Sequence, residues 1–230
     1  MNDSIARAIA HAANRMSETA TVEETLEVIV RSAAEALPHF DHVGIGTKDG
    51  EEPMQTRAAS SDLVRQLDDI QNTVGQGPCL ESLQGTEVIV APHIHHEQRW
   101  PKYVPSAVAI GLQAQLAVRL HLDASGTMGG LNLYSTSRDQ IAADDITTAA
   151  LFATHAAVAL GKAHEVESLS HAVATRQLIG QAIGILMHQY SLDEKSAQAF
   201  LWRASSTSNV KVRDIAERIL AEANRAGAST

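Results

Sequence analysis

The chain opens on a helical pattern. Ile5, Ala8, Ile9, Ala12 and Met16 recur at spacings of three and four, the period of an amphipathic helix, here over residues 4–17. A second helix starts at Thr21. Thr21 followed by Glu24 fits a capping box, in which each side chain satisfies a free backbone donor near the other. Leu26, Ile29, Val30, Ala33 and Leu37 form its apolar stripe, and Pro38 ends it. The period then changes. Val43 and Ile45 alternate with Gly44 and Gly46, Lys48–Asp49–Gly50 turns the chain, and 54–59 reads as a strand. Residues 61–72 predict a helix with Leu63, Leu67 and Ile70 on one side, broken by Gly75–Gln76–Gly77–Pro78. A short strand follows at 88–90, then a short helix or irregular segment at 101–111. The clearest strand is 116–122, where Leu116, Val118, Leu120 and Leu122 alternate with Ala117, Arg119 and His121. That is the pattern of a half-buried strand. A turn at 123–126 and a return strand at 128–134 complete a hairpin. Short-turned strands mixed with helices predict an antiparallel α+β domain.

From residue 142 onward the strand signal stops. Ile146, Ala149, Ala153, Ala156, Leu160 and Ala163 recur at three and four, and Val166, Leu169 and Val173 extend the stripe. This predicts a long helix that packs on its own sheet or pairs with its copy in a homodimer. Three helical units follow. The first runs to about residue 189, with Leu178, Ile179, Ala182, Ile183 and Leu186 apolar. The second begins near Ser191, with Ser191 and Glu194 as a capping box. The third follows Ser208–Asn209 and carries Val212, Ile215, Ala216 and Ile219. The tail, 223–230, is expected to fray. The division expected from these patterns is 1–163 for the α+β domain with its N-terminal helix and 164–226 for a small helical domain.

Composition narrows the function classes. With 44% hydrophobic and 3% aromatic residues, the core must be built from Ala, Leu, Ile and Val. No run of about 18 consecutive apolar residues occurs, so the sequence predicts no membrane span, and the N-terminus lacks the apolar core of a signal peptide. Cys79 is the one cysteine, which forbids an internal disulfide and points to a reducing cytoplasm. The net charge of −9 falls on residues 1–164, with eleven Lys/Arg against twenty Asp/Glu; residues 165–230 balance seven against seven. Any nucleic-acid contact is therefore expected in the C-terminal part, through local placement of charge.

The string from Ala174 to Met187, with Arg176, Gln181, Ala182, Gly184 and Leu186, resembles the first helix of the ANTAR domain. The likeness continues through Ala199–Ser206 and Asn209–Ala216, covering nearly all of 165–225. The resemblance implies an RNA-binding three-helix bundle that stabilises antiterminator hairpins in mRNA leaders and lets RNA polymerase read through. Loops suit such readout because their unstacked bases expose edges and faces. Contact roles carry over to Arg176, Gln181, Arg203, Asn209, Lys211 and Arg213. Arg and Lys neutralise phosphate, and Gln and Asn donate and accept at base edges. The bland alternatives are solvated surface residues, helix ties for Arg176 and Gln181, and a start to the last helix for Asn209. Gly184 is expected to permit close helix packing and Met187 to lie in the core.

Gln71–Leu80, Arg99–Trp100–Pro101, 111–122 and Gly129–Tyr134 together resemble a GAF domain over roughly 20–163. This implies a PAS-like antiparallel sheet with flanking helices that can hold a small ligand. The ligand and any cofactor stay unknown: the patterns of the cyclic-nucleotide and bilin branches are missing. Cys79, Trp100 and Tyr103 are the expected pocket residues. Cys79 as a redox sensor competes with plain packing. His93, His95 and His96 read as a solvated loop more than a metal site, and no catalytic constellation stands out, so no enzyme is expected. The expected protein is a signal-responsive, cytoplasmic antitermination regulator acting on hairpin RNA. A DNA-binding transcription factor, a signalling scaffold that dimerises through the sensor and linker helix, and a small-molecule enzyme of GAF-like fold remain alternatives. The acidic residues Asp214, Glu217 and Glu222 in the last helix weigh against groove-binding DNA recognition.

Overall fold

The computed structural model describes residues 3–121 and 128–227. The chain divides into two units, Met1–Val166 and Glu167–Thr230. The turn expected at 123–126 lies outside the described residues.

In the first unit, helices α1 (Asp3–Ser17) and α2 (Val22–Ala36) precede strands β1 (His42–Lys48) and β2 (Gln55–Ala59). The capping box forms with a shift: Glu24 N–H donates to Thr21 Oγ1 at 3.2 Å, while the Glu24 carboxylate accepts from Ala20 N–H at 3.0 Å. Helix α3 (Asp62–Val74) ends at Gly75, whose φ of 66° is the left-handed cap that glycine adopts without strain. The sequence pattern missed the short α4 (Pro78–Gln84). Strand β3 (Val88–Ala91), a 3-10 turn, α5 (Val104–Ala109) and the hairpin of β4 (Ala114–His121) and β5 (Met128–Ser135) complete the unit before the long α6 (Ala143–Tyr190).

The sheet order is β2-β1-β5-β4-β3, antiparallel throughout. One face meets α1, α2 and the start of α6, where Leu26, Ile29, Val43, Ile45, Leu116, Leu131, Leu133, Phe152 and Ala156 form the main core. Strand β4 is buried on both faces, not half-buried as its alternation predicts. Ala117 and Gln115 on its other face are fully buried too, because Val64, Leu67, Trp100, Tyr103 and Ala107 of the α3–α5 segment cover that face. Gly44 shows how tightly: a Cβ there would collide with Val64 of α3.

Helix α6 runs 48 residues without a break. The expected long helix and the first helix of the C-terminal bundle are one element, since no proline or capping sequence interrupts 165–175. By length and composition one stretch of it could cross a membrane, where the sequence predicts no span; its stripe of Ala149, Phe152, Ala153, Ala156 and Leu160 is core of the first unit.

In the second unit, the C-terminal part of α6 packs with α7 (Glu194–Ser208) and α8 (Val212–Gly227) around Leu186, Ala197 and Leu201, with Ile179, Ile183, Met187, Ile215 and Ile219 at the margin. Helix α7 is capped by Asp193, whose side chain accepts from Ser196 N–H at 2.7 Å. The expected Ser191 cap is therefore displaced by two residues; Ser191 sits in the turn at φ 52°. Helix α8 persists to Gly227, past the point where fraying was expected.

Candidate functional site

The expected RNA residues fall in three places on the second unit. Arg203, Asn209, Lys211 and Arg213 follow one another from α7 across a turn into α8, and all four are exposed. Asn209 makes the turn: at φ 53° it ends α7 in the left-handed conformation and does not start α8. Asn tolerates this conformation better than most residues, and Asn209 is exposed. Lys211 opens α8, its carbonyl accepting from Asp214 and Ile215 N–H. Arg213, in the first turn, pairs with Glu217 at 3.0 Å; both side chains are about half exposed, so water screens the pair. Among the described residues, Arg203 and Lys211 have no ion-pair partner. Arg176 is exposed on α6. Gln181 stands apart, lining a groove with Gly184, Tyr190, Phe200, Ile215 and Ile219. Gly184 is exposed there, and a Cβ added to it would touch nothing within 4 Å, so close packing does not require it.

The first unit holds a buried polar core between the sheet and α3–α5. The Asp68 carboxylate accepts from Thr56 Oγ1 and from the Tyr134 hydroxyl, both at 2.7 Å. Burial pushes its pKa up to about 6, against the two hydrogen bonds that favour the ionised form. Cys79 Sγ lies 2.9 Å from Met54 Sδ and accepts from Asn132 Nδ2 at 2.8 Å. Burial pushes this thiol well up and disfavours the reactive thiolate. Gln71 Oε1 accepts from Cys79 N–H at 2.9 Å, and a Cβ on Gly77 would collide with that same glutamine. Gly77 thus lets the chain pass close enough for the bond, at a φ of 146° that glycine tolerates.

Of the expected pocket residues, Cys79, Trp100 and Tyr103 are all buried. Tyr103 donates to Gln115 Oε1 at 2.8 Å, and Trp100 Nε1 donates to Glu81 at 2.9 Å. Tyr103 and Trp100 share one apolar cluster, while Cys79 packs in another with Met54 and Leu83. Sequence reasoning missed Asp68, Gln71, Gln115 and Asn132. The available signal was polar residues on the inward face of α3 and on the second face of the hairpin. Three amide atoms here, Gln71 Nε2, Gln115 Nε2 and Asn132 Oδ1, are buried with no partner among the described residues. Such atoms cost free energy unless something meets them.

The three histidines lie at the 3-10 turn Ile94–His96. His93 Nδ1 is 2.7 Å from Asp139, and the described residues contain no cluster of metal-ligating side chains.

Known proteins bear on both units. A GAF domain model matches residues 19–161, and an ANTAR domain model matches residues 167–220. No curated protein matches the chain. Among solved structures, a bacteriophytochrome from the photosynthetic bacterium R. palustris superposes with a TM-score of 0.62 at 13% identity, covering 81% of this chain and 43% of that one. The chain thus spans less than half the length of that protein. The GAF domain of an Acinetobacter phosphoenolpyruvate-protein phosphotransferase gives 0.57 at 14% identity, over 72% of this chain and 98% of that one. The N-acylhomoserine-lactone-dependent LuxR-family transcription factor of Burkholderia cenocepacia gives 0.58 at 16%, over 71% and 99%. At these identities the likeness is one of fold. The chain belongs to the GAF domain family, matched over residues 19–161, and carries an ANTAR domain after it.

Proposed function

We propose that this chain is a cytoplasmic transcription antitermination regulator that binds mRNA leaders with two short hairpins through residues 164–226, under control of residues 1–163. The carrying observation is the run of Arg203, Asn209, Lys211 and Arg213 from α7 into α8, all exposed, within residues 165–230, whose net charge is zero. Local cations neutralise phosphates while the Asn209 amide reads an unstacked base. Arg176 and Gln181 extend the contact along α6.

The protein acts as a homodimer. Exposed Leu151, Val158, Val166, Leu169 and Val173 recur along α6 within one stripe, a seam of coiled-coil character. The input is a small polar molecule in the buried core beside Cys79 and Tyr103, where the unpartnered Gln71 Nε2, Gln115 Nε2 and Asn132 Oδ1 offer two NH2 donor groups and one acceptor.

Competition separates this reading from DNA binding. Hairpin RNA displaces a labelled two-hairpin RNA from the full chain, and duplex DNA of equal length does not. Equal displacement by the DNA would overturn the assignment.

A further inference from the structure

Helix α7 turns Ala197 and Leu201 inward, both fully buried. Its outward side carries Trp202, 43% exposed. Lys195 and Trp202 are seven positions apart, about two helical turns, so they lie in one line along α7, with Ser206 one turn beyond Trp202 and Arg203 next to it in sequence. The one carboxylate within α7, Glu194, sits in its first turn. Among the described residues, no ring packs against Trp202 and no acceptor meets its indole N–H. An indole is costly to leave in water, and the exposed residues of the same helix include the cations Lys195 and Arg203 and the small polar Ser206. That combination suits a nucleic-acid strand: bases stack on an exposed ring while cations hold the flanking phosphates.

We propose that Trp202 is a stacking platform for an unpaired loop base of the bound RNA, with Lys195 and Arg203 on the phosphates to either side. The inference rests on the RNA-binding reading and adds to it a base-contacting residue. A duplex cannot use this platform, because its bases already stack on one another.

The test is titration of the full chain with a two-hairpin RNA, using Trp202→Ala, Trp202→Phe and Lys195→Ala variants. Trp202→Ala weakens binding roughly 5- to 150-fold, the range for loss of one stacked base, with the salt dependence unchanged. Trp202→Phe keeps most of the affinity, and Lys195→Ala lowers the salt slope. In a Trp100→Phe protein, emission from Trp202 is quenched by the RNA and not by the same RNA with abasic loops. Wild-type affinity in Trp202→Ala would overturn the inference and leave the RNA-binding reading standing. Absence of RNA binding by the wild type would overturn both. A Trp202→Ala protein that binds RNA normally but changes its sedimentation would mark this face as a protein contact and overturn the inference.

Discussion

The hydroxyl of Tyr134 on β5 donates a 2.7 Å hydrogen bond to Oδ1 of Asp68 on α3, joining the sheet to its covering helix through a buried carboxylate. Burial raises that carboxyl from 3.8 to about 6. A raised acid binds its proton more tightly folded than unfolded. Its contribution therefore favours the folded state below about 4 and is lost as pH rises through about 6, by an amount on the order of 3 kcal/mol. Glu35 and Glu97 run the other way, held low by hydrogen bonds from Arg15 and Arg99. The clean readout is thus a difference. Urea denaturation of wild type and Asp68→Asn across pH should show the variant gaining relative stability between pH 4 and pH 6.5. Parallel curves would show that Asp68 titrates normally.

Cys79 is fully buried with a raised pKa. Alkylation of the native protein is expected to proceed only through opening, and to become fast in urea. Labelling of the native thiol at the rate of an exposed cysteine would remove this account of the core.

Gly44 lies where a Cβ would meet the β-branched Val64. Gly44→Ala should destabilise the protein by about 1–3 kcal/mol, the usual cost of overpacking. Pairing it with Val64→Ala should recover part of the loss, as thermal denaturation of the double variant would show. A neutral Gly44→Ala would mean that α3 moves away freely.

The seam on α6 predicts self-association. Val158 and Leu169 are 70% and 60% exposed, so Val158→Glu/Leu169→Glu should leave the fold intact and halve the sedimenting mass. An unchanged mass would rule out the seam as a dimer contact.

Much of this molecule was readable as pattern. The alternation of Leu116, Val118 and Leu120 located β4, and the spacing of Ile215 and Ile219 located α8, because local periodicity reports which face meets a core. The rest depends on partners distant in sequence. Nothing near Gln115 or Asn132 announces that α3–α5 cover their face, so β4 read as half-buried. Asp68 looked like an ordinary helix carboxylate, since Tyr134 lies 66 positions away. The cap of α7 was missed because Ser191–Glu194 matches the capping-box spacing, while Asp193 caps the helix from closer in. Of the residues proposed to contact RNA, the sequence offered the types; the left-handed turn at Asn209, which places Lys211 and Arg213 just beyond α7, was not legible in it.

The most direct measurement is the affinity of the full chain for a two-hairpin leader RNA across a salt series, beside Arg203→Ala/Lys211→Ala. The account predicts tight binding that weakens as salt rises, and a slope smaller by about 1 for each phosphate contact removed in the variant. Binding with the same affinity and slope in both proteins, or none at any salt, would contradict it.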